Sequence, residues 1–222
     1  KEYLMRKVPQ PGLSFLLILV FSLSSCKRDA PLIYYKLSGF AQGTSYHITY
    51  GVEDSLDLSG SIDSLLKDFD MSLSTYVDES LISRVNRNED VVLDERMLRV
   101  LEVAGEVYEN SQGAFDLTVM PLVNAWGFGP GERMDIEQSV IDSLLNLVGM
   151  DRIRVEEGRL IKEAPEITLD VNAIAQGLSV DEVADFLSSR GITNHMVEIG
   201  GEVKTRGLNP KQEVWKIGVD RP

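Results

Sequence analysis

The chain has 222 residues, 43% hydrophobic and 26% charged, enough for one large domain or two small ones with a real core. Its net charge of -13 disfavours a nucleic-acid partner. With no broad basic surface available, an anionic ligand needs a metal ion or helix N-termini.

In chain order, the first segment is a leader. Arg6 and Lys7 precede an apolar run, FLLILVF from Phe15 to Phe21, and then LSSC, Leu23 to Cys26. A short positive region, a core too short to span a bilayer and small residues before a cleavage point read as a secretory signal. LSSC resembles a bacterial lipobox, in which the Cys becomes the lipidated first residue of the mature chain. Cys26 is thus the predicted lipidation site, with a plain signal peptide or membrane anchor as the alternative. Met5 is the predicted start. Once the single Cys is modified, no thiol is left for a disulfide.

Residues 27–32 read as a tether, and 27–38 as tether plus first strand. YYKLSGFAQGTSYHITY, Tyr34 to Tyr50, reads as two strands or one bulged strand. Ile62, Leu65, Leu66 and Phe69 recur at helical spacing, with Ser59 and Ser61 as candidate caps. ESLISRVNRN predicts a short helix. Asp94 opens a stronger one, with Met97, Leu101, Ala104 and Tyr108 on one face and Gly113 as a stop. QSVIDSLLNLVGM predicts a helix ending near Gly149. RIRVEEGRLIKEAPEITLDV alternates around Glu157-Gly158 as a hairpin. EITLDV reads as a strand running into a helix with Val180, Val183, Ala184 and Leu187 on one face and Gly191 past its end. HMVEIGGEVKTRG and VWKIGVD read as closing strands. Helices and hairpins without a regular βαβ rhythm make the fold class α+β. A strand ending in Arg-Pro is not an obvious domain end, so a C-terminal portion is expected to be missing.

Four stretches carry chemistry. In DVNAIAQGLSVD, Asp170 to Asp181, Asp170 or Asn172 can cap the helix. Ala173, Ala175 and Gly177 leave the backbone open to a close ligand or strand, and bare helix N-terminal amides suit a phosphate. By itself this segment fits a packed, Asp-capped turn better than a ligand site. Ser74-Thr75-Tyr76 lies between two helices. SQGAFDLTVMPLVNAWGFG carries Gly113 to Asp116 and Trp126. Gly200-Gly201-Glu202 sits inside a strand, where paired Gly weakens a sheet without a packing or ligand reason.

Together, and in this order, these stretches resemble the FAD:protein FMN transferase family, also called ApbE or thiamine-biosynthesis lipoproteins. The residues carrying the resemblance are Gln42-Gly43-Thr44, Ser74-Thr75-Tyr76, Gly113 to Asp116 with PLVNAWGFG, Asp170 to Asp181, and Gly200-Gly201-Glu202. The match runs from about Gly39 to Pro222, taken as an FAD-binding domain over 39–222.

The resemblance implies an α+β fold with antiparallel sheets flanked by helices, and FAD as substrate held with Mg2+. It implies splitting FAD at the pyrophosphate and attaching FMN by a phosphoester to a Thr or Ser of an acceptor protein, releasing AMP. It further implies that Asp170 and Gln176 contact the dinucleotide and that the Ala173 backbone carbonyl is a metal ligand. Gln42 matches a position touching FAD, Tyr76 stacks on or lines the flavin, and Ala114, Phe115 and Asp116 contact the flavin nucleotide. Glu202 is a weaker candidate on the adenosine side, and Trp126 is read as core. Location follows as exported and lipid-anchored through a palmitate-bearing Cys26, facing the periplasm.

Two departures stand out. Gln176 occupies a position where many members carry Lys. The C-terminal third, where the family's Asp and Thr metal ligands and candidate base lie, is absent, so no catalytic residue is assigned. His47, in a strand, reads as structural and His195 as surface. Two other functions remain open: an exported flavin-binding lipoprotein without transfer, and a Mg2+-dependent FAD pyrophosphatase.

Overall fold

The computed structural model describes residues 31–130, 133 and 136–218. The leader with Cys26, and the last two residues of VWKIGVD, lie outside the described residues. From Ile33 on, the described residues form one unit. None of the described helices is long and apolar enough to cross a membrane.

Strand β1, Ile33–Ala41, folds back on β2, Thr44–Val52, through Gln42-Gly43. Both turn residues have positive φ, 55° and 74°, the requirement of a tight two-residue hairpin that matches the twist of its strands. Of the two sequence readings, two strands is the correct one, and the first runs past 38 to Ala41. Three helices follow: α1, Ser59–Leu73, α2, Leu81–Asn86, and α3, Glu95–Asn110. Asp94 caps α3 by accepting from the Met97 N–H at 2.8 Å, as its position in the sequence predicts. Neither Ser59 nor Ser61 caps α1; the residue at its N-cap is Leu58, and Asp57 accepts from the Ser59 N–H instead.

A single-turn helix at Leu117–Val119 leads to α4, Met120–Ala125, and then α5, Gln138–Leu145. The hairpin of β3, Ile153–Glu156, and β4, Arg159–Lys162, turns at Glu157-Gly158 as expected. Helix α6 spans Asn172–Ser189, and β5, Asn194–Ile199, with β6, Glu202–Arg206, closes a four-stranded antiparallel sheet of order β1-β2-β5-β6.

Three expectations fail here. EITLDV is not a strand. Its backbone is satisfied by a side chain: Asn86 brackets Leu169, accepting from its N–H at 2.8 Å and donating to its carbonyl at 2.9 Å. The Asp170 N–H then goes to the Leu117 carbonyl, so no ladder is needed. VWKIGVD makes only an isolated bridge, Leu208 to Val214, among the described residues. Gly200-Gly201 is a turn, not a strand interior, with φ of 59° and 97°.

Two apolar clusters make the core. In the first, Tyr46, Ile48, Tyr50 and Val52 of β2 and Val197 and Ile199 of β5 line one face of the sheet. Ile62 and Leu66 of α1 and Val180, Val183, Ala184 and Leu187 of α6 cover that face. In the second, Phe69 and Leu73 meet Ile82, Val85, Met97, Val100, Ala104, Leu117, Leu169, Val171 and Ala175. Helices α1 and α6 thus belong to both clusters, each through a different half. His195 shares the core face with Val197 and Ile199 and is 1% exposed, not at the surface. Burial lowers its pKa, and its Nδ1 lies 3.3 Å from the Ile192 carbonyl. His47 is on β2 as expected, on the exposed face.

Candidate functional site

The end of α1 and the beginning of α6 form the walls of a cleft of about 670 Å3. Helix α1 supplies Phe69, Asp70 and Leu73, the loop after it supplies Ser74, Tyr76 and Val77, and α6 supplies Asn172, Ala175 and Gln176. The β1–β2 turn, Gln42-Gly43, completes the lining. A cleft of this size with several convergent polar groups beside apolar ones is large enough for a small-molecule ligand.

The cleft places Gln42, Tyr76 and Gln176 together although 34 and 100 residues separate them in sequence. Tyr76 is no core aromatic: it is 63% exposed, and its hydroxyl donates to the Phe128 carbonyl at 3.1 Å. Phe128 is itself 76% exposed. Two rings left in water beside a cleft are a platform for a planar ligand. Ser80, fully buried, fixes this loop. It caps α2 by accepting from the Ser83 N–H, and its own hydroxyl donates to the Ser74 carbonyl at 2.7 Å.

Gln42 is held in its left-handed turn with its Oε1 accepting from the Ser179 hydroxyl at 3.1 Å. Its Nε2 is buried and lacks a partner among the described residues. A buried donor left unpaired costs about 1–3 kcal/mol, which a bound acceptor recovers. Gln176 packs against the β5–β6 turn. A Cβ on Gly200 would meet the Gln176 Nε2 and displace that carboxamide, while the φ of 59° itself favours glycine there.

The other sequence candidates lie off the cleft lining. Asp170 accepts from the Asn172 N–H at 2.9 Å, one residue ahead of the helix N-cap, which is Val171. Neither Asp170 nor Asn172 is thus the N-cap that the sequence offered, although Asp170 accepts from the first helical N–H, that of cleft-lining Asn172. Ala173 is exposed in the first turn. Ala114 is exposed and Phe115 packs on the second core cluster. The Asp116 carboxylate is committed within the fold. It accepts from the Thr118 N–H and hydroxyl at 2.7 and 2.5 Å and from the Met150 N–H at 3.0 Å. The Leu117 carbonyl, one residue on, receives the Asp170 N–H at 2.7 Å, so the GAFD and DVNAIAQG stretches meet directly. Glu202 is exposed at the start of β6, outside the cleft. Trp126 is 42% exposed at the end of α4, not core.

Among the described residues no group of three or more His, Cys, Asp or Glu side chains is placed to hold a metal ion. A second hollow, about 570 Å3, borders Arg96 and Glu182, but these two pair with each other. Sequence reasoning missed Asp70 and Ser80, and quoted Phe128 only within PLVNAWGFG, without a role. The Ser80 signal was a Ser directly ahead of a helical run; nothing local marks Asp70.

The ApbE family model matches residues 42–222, which include every residue of the cleft lining. The chain belongs to the ApbE family. A curated relative from Vibrio cholerae, "FAD:protein FMN transferase", is 39% identical over 90% of this chain and 62% of its own length. One of the same name from Haemophilus influenzae is 34% identical, over 92% of this chain and 63% of its own. Among solved structures, "Flavin Transferase ApbE from Vibrio cholerae" superposes with a TM-score of 0.81 at 37% identity, covering 86% of this chain and 65% of that one. An apo Pseudomonas stutzeri flavinyl transferase ApbE gives 0.78 at 30% identity. The α+β architecture of antiparallel sheet and flanking helices is thus the ApbE fold. The chain spans a little under two thirds of the length of the ApbE relatives from Vibrio cholerae and Haemophilus influenzae.

Proposed function

We propose that the protein carrying this chain moves FMN from FAD to a Thr or Ser hydroxyl of an acceptor protein. The hydroxyl oxygen bonds the flavin-side phosphorus, the bond from that phosphorus to the bridging oxygen breaks, AMP leaves, and the hydroxyl proton passes to a base. None of the described cleft residues is assigned as that base. The observation that carries the reading is the cleft itself. It joins three family-matched segments and offers the exposed Tyr76 ring, the unpaired Gln42 amide and the Gln176 carboxamide to one ligand.

In this reading Tyr76 takes the isoalloxazine ring, Gln42 and Gln176 donate to ligand oxygens, and Asp170 and Asn172 shape the turn nearest the diphosphate. Magnesium dependence belongs to the proposal too. Among the described residues no group of three or more His, Cys, Asp or Glu side chains is placed to hold it, so no step is routed through the ion. Export and lipid attachment at Cys26 complete the proposal. Cys26→Ala should abolish fatty-acid labelling and membrane partitioning.

The test incubates the full-length protein with FAD, Mg2+ and an acceptor protein, and follows flavin fluorescence on the acceptor band. Labelling from FAD but not FMN, lost when the acceptor Thr or Ser becomes Ala, is the expected result. FAD cleavage with an unlabelled acceptor would make it a pyrophosphatase; FAD binding without cleavage would make it a flavin-binding lipoprotein.

A further inference from the structure

Asp70 stands apart from every other charged residue around the cleft. It is the sole charged group in the described lining. Its carboxylate has no hydrogen-bond or ion-pair partner among the described residues, while Asp116 and Asp170 are both engaged by backbone N–H groups. It occupies the last turn of α1, where the helix dipole disfavours a negative charge. It is also partly desolvated, which raises its pKa with nothing to oppose the shift. Desolvation, dipole and the missing partner all weigh against an Asp there, and a neutral residue would relieve them together. A residue kept against the stability of its own helix is a common mark of a binding group.

The chemistry of the missing partner is restricted. An ionised carboxylate only accepts hydrogen bonds, so the partner must be an N–H or O–H donor. The same cleft wall carries the apolar sides of Phe69, Leu73 and Val77 and the exposed ring of Tyr76, six residues on. Such a wall suits a flat heteroaromatic ring whose edge bears the donor.

We propose that Asp70 is a specificity-determining residue that accepts a hydrogen bond from a ring-edge N–H of the bound nucleotide. This rests on the FAD reading. FAD has such donors at both ends, the imide of isoalloxazine and the exocyclic amine of adenine, and Asp70 selects for rings that offer one. It also selects against rings that present only acceptors there, since two facing acceptors repel.

The test uses the full-length protein, wild type, Asp70→Asn and Asp70→Leu, titrated with FAD, riboflavin and ADP in the presence of EDTA, together with the Tm of each ligand-free protein. Asn keeps an acceptor but loses the charge; Leu loses both at similar size. The expected result is a Tm at or above wild type for both variants. FAD affinity should fall a few-fold in Asp70→Asn and more than tenfold in Asp70→Leu. The same loss in riboflavin binding assigns the imide, and in ADP binding the adenine amine. If wild type binds FAD and Asp70→Leu binds it within about twofold, the inference is wrong while the FAD reading stands. If both variants lose Tm along with affinity, Asp70 is structural and the inference is wrong. If the loss appears only when Mg2+ replaces EDTA, Asp70 is a metal ligand instead and the inference is again overturned. If wild type binds FAD neither in EDTA nor in Mg2+, the FAD reading itself fails.

Discussion

The same two helices do opposite things at their two ends. Where the first half of α1 and the second half of α6 cover the sheet, Ile62, Val183, Ala184 and Leu187 are fully buried and the contact is mainly apolar. Where the end of α1 approaches the beginning of α6, a cleft opens with an unpaired Asp70, an unpaired Gln42 amide and an exposed Tyr76. The sheet end fixes the helices, and the cleft end can therefore tolerate groups that do not help folding. Stability and function are separated along single helices, not between domains.

The largest effect should come from the sheet end. Leu187→Ala removes a fully buried side chain and should cost about 2–5 kcal/mol in denaturant unfolding, with FAD affinity per folded molecule unchanged. A parallel loss of affinity would show that the two ends are not separable.

Arg96 joins the helices between those ends. It holds Glu182 of α6 bidentately at 2.8 and 2.9 Å, holds Asp68 of α1 at 2.9 Å, and lies over the Phe69 ring. Arg96→Ala should cost about 1.5–3 kcal/mol and weaken FAD binding, because Phe69 lines the cleft. Arg96→Lys should restore little, since it lacks the planar fork. Full rescue by Lys would reduce the network to simple charge balance.

Ser80→Ala removes an N-cap and the bond to the Ser74 carbonyl, for about 1 kcal/mol by thermal unfolding. The loop carrying Tyr76 should then bind FAD a few-fold more weakly.

The smallest effect is the pH dependence from Asp70. Burial raises its folded pKa above the ordinary 3.8, so its stabilising contribution is complete below that value and is lost as pH rises through the folded pKa. Asp70→Leu should therefore gain stability relative to wild type as pH increases through this window. A gap that does not change with pH would mean the carboxylate is not desolvated.

What the sequence makes legible is what depends on near neighbours. Glu157-Gly158 is readable as a turn because its Gly accepts positive φ, whereas the break at Gly43 left two strands and one bulged strand both open. Asp94 is readable as a cap, and Val180, Val183, Ala184 and Leu187 as one buried face. The family resemblance adds Gln42, Tyr76 and Gln176, which the fold does bring into one cleft. Illegible features depend on distant partners. EITLDV has strand composition, yet Asn86, 83 residues away, takes its hydrogen bonds. His195 looks polar and local, but alternation with Val197 and Ile199 puts it on the core face. Asp70 reads as one more acidic residue on a helix until its empty surroundings are seen.

Titration of FAD into the full-length protein and its Tyr76→Ser variant tests the cleft assignment most directly. The Tyr76 ring is 63% exposed, so its loss should leave Tm nearly unchanged. Stacking of a nucleotide ring on an aromatic side chain is worth about 1–3 kcal/mol, so FAD affinity should fall by roughly 5- to 150-fold. Equal affinity in the two proteins, at equal Tm, would place FAD somewhere other than this cleft.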